Sequence, residues 1–445
     1  MYNHLLNGSS NSTFCRIVKQ LNLKMADCVF INLYKTGDKS FTRNRFFTFK
    51  VLLCFLMTNL QKSIQREISL FVDAIELDGG SIPEVSKSAF CKARRKLMPT
   101  VFKALSNEVV NEFYKIGEAE LWHGYRIIGV DGSRIVMPNT KAMSSRFGAV
   151  VSSEGNKDNN ATCMAQALTM YDTLNNITLY GSLENIAESE TSLVYKALAD
   201  ISLNKNDILV FDRYFASYLL FFHLQKLGVQ FCFRMKSGWW NIVKDFNDSG
   251  KESQVLVLEM RSRDRKEAVA LGITETSIKC RLTRVELDGG EIEILLTSLT
   301  DEQKISVADT KELYGKRWPI EDSYKTFKNK VCIENFSGKT ENAVMQDFYV
   351  KIFIMNLTAV AIRPINIALS KKSVKIKHIH QVNLIEALAT MKKGVVSFFV
   401  TGKISKGIKR FFARVSKITE PIRKGRKFKR KHKARKKYYM TQKPV

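Results

Sequence analysis

Apolar residues recur every three to four positions through FFTFKVLLCFLMTNLQKSIQREISLFV and again through SAFCKARRKLMPTVFKALSNEVVNEFY, the period of helices with one buried face. The pattern predicts an all-helical module from about residue 10 to 120. Ser86 and Ser88 are cap candidates for its second half, which carries Lys92, Arg94, Arg95 and Lys96. Those four cations suit contact with a polyanion, and they equally suit a solvated helix face.

Near residue 125 the period shortens to that of strands. YRIIGVDGSRIV is rich in β-branched residues, and CMAQALTMYDTLNNITLYGSLE makes two runs around the turn signal Asn175-Asn176. A helix in ETSLVYKALADI, a buried strand in DILVFDRYF, a helix in ASYLLFFHLQKLG closed by Gly228 and a strand in VQFCFRMK follow. Strand, hairpin, helix, strand, helix, strand is an α/β layer with a mixed sheet, the order of a ribonuclease-H-like core. From about 237 to 305 the pattern is β without intervening helices, with Asp288-Gly289-Gly290 as a hairpin turn, and it reads as a β-rich insertion in the core. Helical periodicity returns in LYGKRWPIEDSYKTFKNKV and from Asn342 to Leu369.

The expected organisation is a helical, DNA-binding segment over 1–120 and a core over 121–236 and 307–400 interrupted by the β-rich insertion 237–306. A basic flexible tail over 401–445 completes it. Two apolar runs, 46–60 and 350–369, are read as buried helices: the first is short and contains Lys50, the second is broken by Lys351, Arg363 and Pro364, and no membrane partner is expected.

Charge adds a partner to this picture. The chain has 71 Lys and Arg against 43 Asp and Glu, a net +28, the footprint of a polyanion ligand, with nucleic acid ahead of anionic membrane or ribosome. The tail alone holds 18 Lys and Arg against the single acid Glu420. The eight cysteines include no C-x-x-C pair, and MYNHLLNGSSNSTFC lacks the layout of a signal peptide, so reduced thiols in a cytoplasmic, nucleoid-associated protein are expected. His378 and His380 have no acid or cysteine nearby and read as surface residues of a basic segment, and nothing in the sequence supports His123 or His223 as a ligand or base.

Two acids, Asp131 in IIGVDGS and Asp212 in ILVFDRYF, end apolar strand runs, where a lone carboxylate is costly. Taken singly, an Asp after an apolar run is more often a turn or cap residue than a ligand of a hard metal ion. A third acid, Glu321, comes with Tyr314, Arg317 and Lys328 in the spacing Y-x2-R-x3-E-x6-K. On one continuous helix the four would fall within about 60° of one another, a carboxylate ligand beside phosphate contacts. An ordinary amphipathic helix with ion pairs is the alternative, and Pro319 favours a helix that begins there, which would leave Tyr314 and Arg317 in the preceding turn.

That spacing, embedded in YGKRWPIEDSYKTFK, resembles the signature of the DDE transposases of the insertion-sequence-four family of bacterial mobile elements. GVDGS around Asp131 and FDRYF around Asp212 resemble the family's other two blocks, and the likeness spans roughly residues 40 to 370. The resemblance implies a ribonuclease-H-like core in which Asp131, Asp212 and Glu321 bind two Mg²⁺ ions, with Mn²⁺ as a substitute. It implies that Tyr314, Arg317 and Lys328 hold phosphates at the transposon end. The activity implied is cut-and-paste transposition: strand cleavage by activated water, then strand transfer by the freed 3′-OH. The partners implied are double-stranded terminal inverted repeats, target DNA and a second copy of the chain in a synaptic homodimer. Some members stack a flipped base on an aromatic of the insertion, for which Trp239 and Trp240 are candidates; closure of the insertion's own core is their other reading. A catalytically inactive DNA-binding derivative, or a nuclease that cuts without joining, are the alternative functions.

Overall fold

A computed structural model describes residues 13–43, 45–58, 61–79, 84–151, 161–238, 240–287, 290–372 and 378–422. Trp239, the Asp288-Gly289 turn and the most basic part of the tail, 423–445, lie outside the described residues.

The helical period of the first segment is realised as α1 (Thr13–Ala26), α2 (Cys28–Tyr34), α3 (Phe49–Met57), α4 (Ile64–Leu77), α5 (Lys87–Arg94) and α6 (Thr100–Lys115). Side-chain oxygens of Asp27, Thr48 and Ser86 cap α2, α3 and α5 by accepting from otherwise orphaned N–H groups. The chain then forms β1 (Arg126–Val136), α7 (Lys141–Phe147), β2 (Ala149–Val150), β3 (Thr162–Asp172), β4 (Ile177–Asn185), α8 (Glu190–Asp200), β5 (Asp207–Phe211), α9 (Tyr218–Lys226) and β6 (Gln230–Met235). Next come α10 (Asn241–Asp248), β7 (Ser253–Glu259), α11 (Arg265–Ala270), β8 (Ser277–Glu286), β9 (Ile292–Thr297), α12 (Val307–Gly315) and α13 (Trp318–Asn329). The last elements are α14 (Glu341–Lys372), β10 (His380–Val382), α15 (Leu384–Val395), α16 (Ile404–Val415) and β11 (Thr419–Pro421).

The chain divides into two compact units, one of Met1–Glu118, Ile135–Ala165 and Phe327–Val445, the other of Ala119–Arg134 and Gln166–Thr326. The second unit is built on a mixed sheet in the order β4-β3-β1-β5-β6-β9-β8-β7. β1 pairs parallel with β5, and β5 with β6; β6, β9, β8 and β7 pair antiparallel in succession. The turn between β3 and β4 falls at the Asn175-Asn176 signal. Asp172 Oδ1 accepts from the N–H groups of Leu174 and Asn175, both at 3.0 Å, and Asn176 takes the left-handed conformation at φ 57°.

The region expected as a β-rich insertion differs from that expectation in two ways. It contains helices α10 and α11, and its strands continue the core sheet, with Phe233 of β6 paired to Leu296 of β9. The alternation in EAVALG imitates a strand, but Gly272 at φ 64° ends a helical turn there and Ala268 is buried. One apolar cluster runs from Ile128 and Val130 of β1 through Phe211 and Phe233 to Leu282 and Leu296, so core and expected insertion share their packing.

In the first unit α14 is long and apolar enough to cross a membrane, yet it serves as a core helix whose polar side chains are buried and bonded. Asn356 donates to Ser106 Oγ at 2.9 Å, and the Lys351 ammonium donates to the carbonyls of Cys332 at 2.9 Å and Asn335 at 3.0 Å. Arg94 of α5 donates from Nη2 to Asp347 Oδ1 at 2.7 Å and from Nε to Gln346 at 2.6 Å. Part of the expected flexible tail is folded: α16 buries Ile408, Phe411 and Val415, and Phe14 lies 5.8 Å from the Phe411 ring. Counting charge over 401–445 concealed an apolar stripe at helical spacing in a basic helix.

Candidate active site

Strand pairing brings the first two acids together. The parallel ladder matches Gly129 with Val210 and Val130 with Phe211, so the next positions, Asp131 and Asp212, are neighbours across two strands about 4.8 Å apart. Alternation also fixes their face. Ile128, Val130, Leu209 and Phe211 enter one core cluster, whereas Ile127, Ile208 and Val210 join the opposite one with Leu313 and Tyr314. Asp131 and Asp212 therefore project toward the side that carries Tyr314. Asp212 directly follows β5 and caps a short 3₁₀ turn, Arg213–Phe215, by accepting from Arg213 N–H at 2.7 Å. The Tyr314 hydroxyl reaches Asp212 Oδ1 at 3.5 Å.

Glu321 arrives on α13, in its first turn. The four residues of the Y-x2-R-x3-E-x6-K pattern do not share one helix: Tyr314 is in α12, Arg317 lies in the turn between the helices, and Pro319 sits in the first turn of α13, where its missing N–H costs nothing. Helix α13 approaches β1 closely because residue 129 is glycine; a Cβ there would stand 3.2 Å from Ile320 Cβ. The Tyr324 hydroxyl donates to the backbone carbonyl of Asp131 at 2.9 Å, fastening the helix to the strand at the acid itself. Lys328 stands in the last turn of α13.

Arg317 is only 4% exposed. Its Nη2 donates to Glu321 Oε1 at 2.7 Å, and its guanidinium lies 5.5 Å from the ring centres of both Tyr314 and Trp318. Its Nε is buried and has no hydrogen-bond partner among the described residues. Trp318 is exposed, as is Tyr214 next to Asp212.

A fourth carboxylate, missed in the sequence, joins this group. Glu190 opens α8 and accepts from Gln166 Nε2 at 3.0 Å, and a Cβ on Gly132 would lie 2.2 Å from its Oε1. The glycine after Asp131 thus admits the Glu190 carboxylate against the strand. Burial is the main cause that pushes the Asp131 carboxyl up to about 7; the charges of Glu190 and Glu321 add to it, and Arg317 and the Gly132 N–H oppose it. Burial likewise raises Glu190, helped by Asp212 and opposed by Gln166 and Arg134. Glu293 on β9 is raised too, by burial first, against the pull of Arg234.

Residues 122–357, more than half of the chain, match the family described as Transposase DDE domain. The chain belongs to the DDE transposase family. Among solved structures, this DDE transposase is similar to a piggyBac transposase in a synaptic complex with hairpin DNA, at 12% identity and a TM-score of 0.41, over 90% of this chain and 82% of that one. No curated protein matches it.

For a DDE transposase the donor set has the right chemistry. Carboxylate oxygens from the middle of β1, the end of β5 and a helix start are what a hard divalent cation binds, so Asp131, Asp212 and Glu321 suit one. They are not drawn into one coordination sphere: among the described residues no group of three Asp, Glu, His or Cys side chains is placed to hold a metal ion, and Glu321 is engaged by Arg317. Beside Asp212 lies a cleft of about 320 Å³ lined by Arg213, Arg234, Lys236 and Arg284, together with Glu291 and Glu293. Trp240 is half-buried, 4.6 Å from the Tyr218 ring and 5.7 Å from Phe221, at the border of the core cluster.

Proposed function

We propose that this DDE transposase performs cut-and-paste transposition, cleaving and rejoining DNA at the ends of an insertion sequence with Asp131, Asp212 and Glu321 as ligands of two Mg²⁺ ions. The observation that carries the reading is the register of β1 and β5, which sets Asp131 beside Asp212 on the face that also bears Tyr314. The strand order β4-β3-β1-β5-β6, with parallel pairing from β1 to β6, supports a ribonuclease-H-like core. The Tyr314, Arg317, Glu321, Lys328 spacing supports membership of the insertion-sequence-four group.

Bound divalent ions would supply activation of the attacking oxygen and stabilisation of the leaving oxygen. The chain's own residues set up the rest. Arg317 neutralises Glu321 through Nη2, and its guanidinium charge beside the acids favours a phosphate there. Partial burial of Asp131 places its carboxyl in surroundings of low polarity, where each charge interaction is stronger. Tyr314 and Lys328 complete the phosphate contacts. For an unstacked base, the exposed rings of Tyr214 and Trp318 are more accessible than Trp240. DNA ends and target DNA are the partners, and the acting form is a homodimer.

The test combines purified protein with labelled terminal inverted repeats, a target plasmid and Mg²⁺. Strand-transfer products support the proposal, cleavage without transfer points to a nuclease, and binding without cleavage to an inactive derivative. Asp131→Ala, Asp212→Ala and Glu321→Ala should each abolish chemistry and keep DNA binding; persistent cleavage in any of them removes that residue from the triad.

A further inference from the structure

The first unit contains a second cleft, of about 410 Å³, lined by Lys39, Phe41, Thr42, Arg43, Arg45, Phe46, Phe47, Ala89, Lys92, Ala93 and Lys96. Five cations line it and no acid does. One wall is the face of α5 on which Ala89, Lys92 and Ala93 follow one another at helical spacing, with Lys96 just past the helix end. The alanines leave the backbone of α5 open to close approach, and the lysines flank the opening they leave.

The opposite wall is formed by described residues of the segment between α2 and α3, and both ends of that segment are held in place. Thr36 N–H donates to Lys96 O at 2.9 Å, and Met98 N–H to Tyr34 O at 2.9 Å, tying the loop's start to the end of α5. Phe47 packs on the rings of Phe55 and Phe90 at 5.5 and 5.7 Å, which anchors the other end. Between these anchors Phe41 is held at φ 61°, a left-handed conformation that a bulky side chain adopts only when its surroundings impose it. Arg94, on the far side of α5, is committed to Asp347, Gln346 and Ser337, so the helix is keyed into its unit and cannot rotate to offer other residues. Of the cations expected on this helix from the sequence, Arg94 is thus structural and Lys92 and Lys96 belong to the cleft.

We infer that this cleft grips the sugar-phosphate backbone of duplex DNA, away from the catalytic acids, with Lys39, Arg43, Arg45, Lys92 and Lys96 on phosphates and Phe41 and Phe46 against deoxyribose. The inference rests on the DNA-processing function proposed above. Five cations on two facing walls with small residues between them fit a polyanionic chain that lies along the helix, rather than a ligand read through hydrogen-bonded edges.

The experiment measures binding of the full-length protein to a labelled duplex by fluorescence anisotropy across a salt series, with circular dichroism to verify folding. The triple variant R43Q/R45Q/K92Q should lower affinity at least tenfold and make the salt slope shallower by about 2 to 3, one unit for each lost phosphate contact. K406Q/K409Q/K417Q removes the same charge elsewhere in the unit and should cost much less. Ala93→Glu, a single change at a half-buried position of the α5 wall, should weaken binding alone. An unchanged slope in the cleft variants, equal losses from both triple variants, or preference of the protein for single-stranded RNA over the duplex would overturn the assignment. A wild type that cuts DNA while the cleft variants bind normally removes the cleft only; a wild type that neither binds nor cuts removes the transposition reading itself.

Discussion

The hydroxyl of Tyr324 donates to the backbone carbonyl of Asp131, joining helix α13 to strand β1 one turn beyond Glu321. Removing that hydroxyl in Tyr324→Phe leaves a carbonyl short of a partner, a loss of about 0.5–1.5 kcal/mol. The larger effect is expected in the reaction, because the same bond sets the third acid against the first. Strand cleavage should fall on the order of 10- to 100-fold while the melting temperature moves little. Unaltered cleavage would mean that the Gly129–Ile320 contact holds the helix by itself.

Arg317→Lys keeps the charge but removes the planar fork that donates to Glu321 and that the proposed function also turns to a phosphate. Cleavage should drop by roughly 10²- to 10³-fold, the usual loss for one donor at a developing charge, with DNA affinity nearly retained. Cleavage kinetics on a pre-bound labelled end would measure it, and a wild-type rate would show that Arg317 is needed only as a positive charge.

Gly132→Ala and Glu190→Gln test the fourth carboxylate. The atom that a Cβ at 132 would meet is the tip of the Glu190 side chain, which can swing away, so the protein should fold and the carboxylate should be displaced. Both variants should then share one phenotype: near-normal thermal stability and weakened Mn²⁺ binding measured by calorimetry. A Gly132→Ala protein that binds Mn²⁺ like wild type would show that Glu190 is a bystander.

Asp347 makes stability depend on pH. Burial alone would raise its carboxyl, but Arg94, Lys351 and the Ser337 hydrogen bonds outweigh burial and hold it below the usual carboxylate range. A carboxyl with a depressed folded-state pKa stabilises the fold above its unfolded value of about 3.9, and that stability is lost as pH falls through the lower folded value. Denaturant unfolding should therefore show wild type losing stability below about pH 4 through this group, and Asp347→Asn losing the dependence. Arg94→Ala, which strands the buried carboxylate, should cost about 3–5 kcal/mol near neutral pH. Equal stability of Arg94→Ala and wild type would contradict the pairing.

The alternation of apolar residues made strands β1, β3, β4, β5 and β6 and helices α8 and α9 legible, because each buries a continuous face. Asp131 and Asp212 were visible as acids that follow apolar runs, though only Asp212 stands at a strand end: β1 continues past Asp131 to Val136, because the polar GSR stretch after it keeps the extended backbone. Their adjacency was not, since it depends on a register between strands far apart in the chain. Glu190 resembled an ordinary first-turn acid behind the Ser189 cap, and only the Gly132 contact reveals where its carboxylate goes. The pairing of β9 with β6 was hidden for the same reason as the aspartate register: local periodicity says that a strand exists, not which strand it bonds. In α16, charge drowned the apolar stripe.

The bonds between Phe233 and Leu296 also limit how this protein can be rebuilt. A module that hangs from a core by two linkers can be exchanged or shortened by recombination without touching the host. Here, cutting out β7, β8 and β9 would strip β6 of its partner and expose a bare row of N–H and C=O groups two strands from Asp131. A truncated copy would therefore carry an open sheet edge, a template for pairing with other chains, beside its catalytic strands.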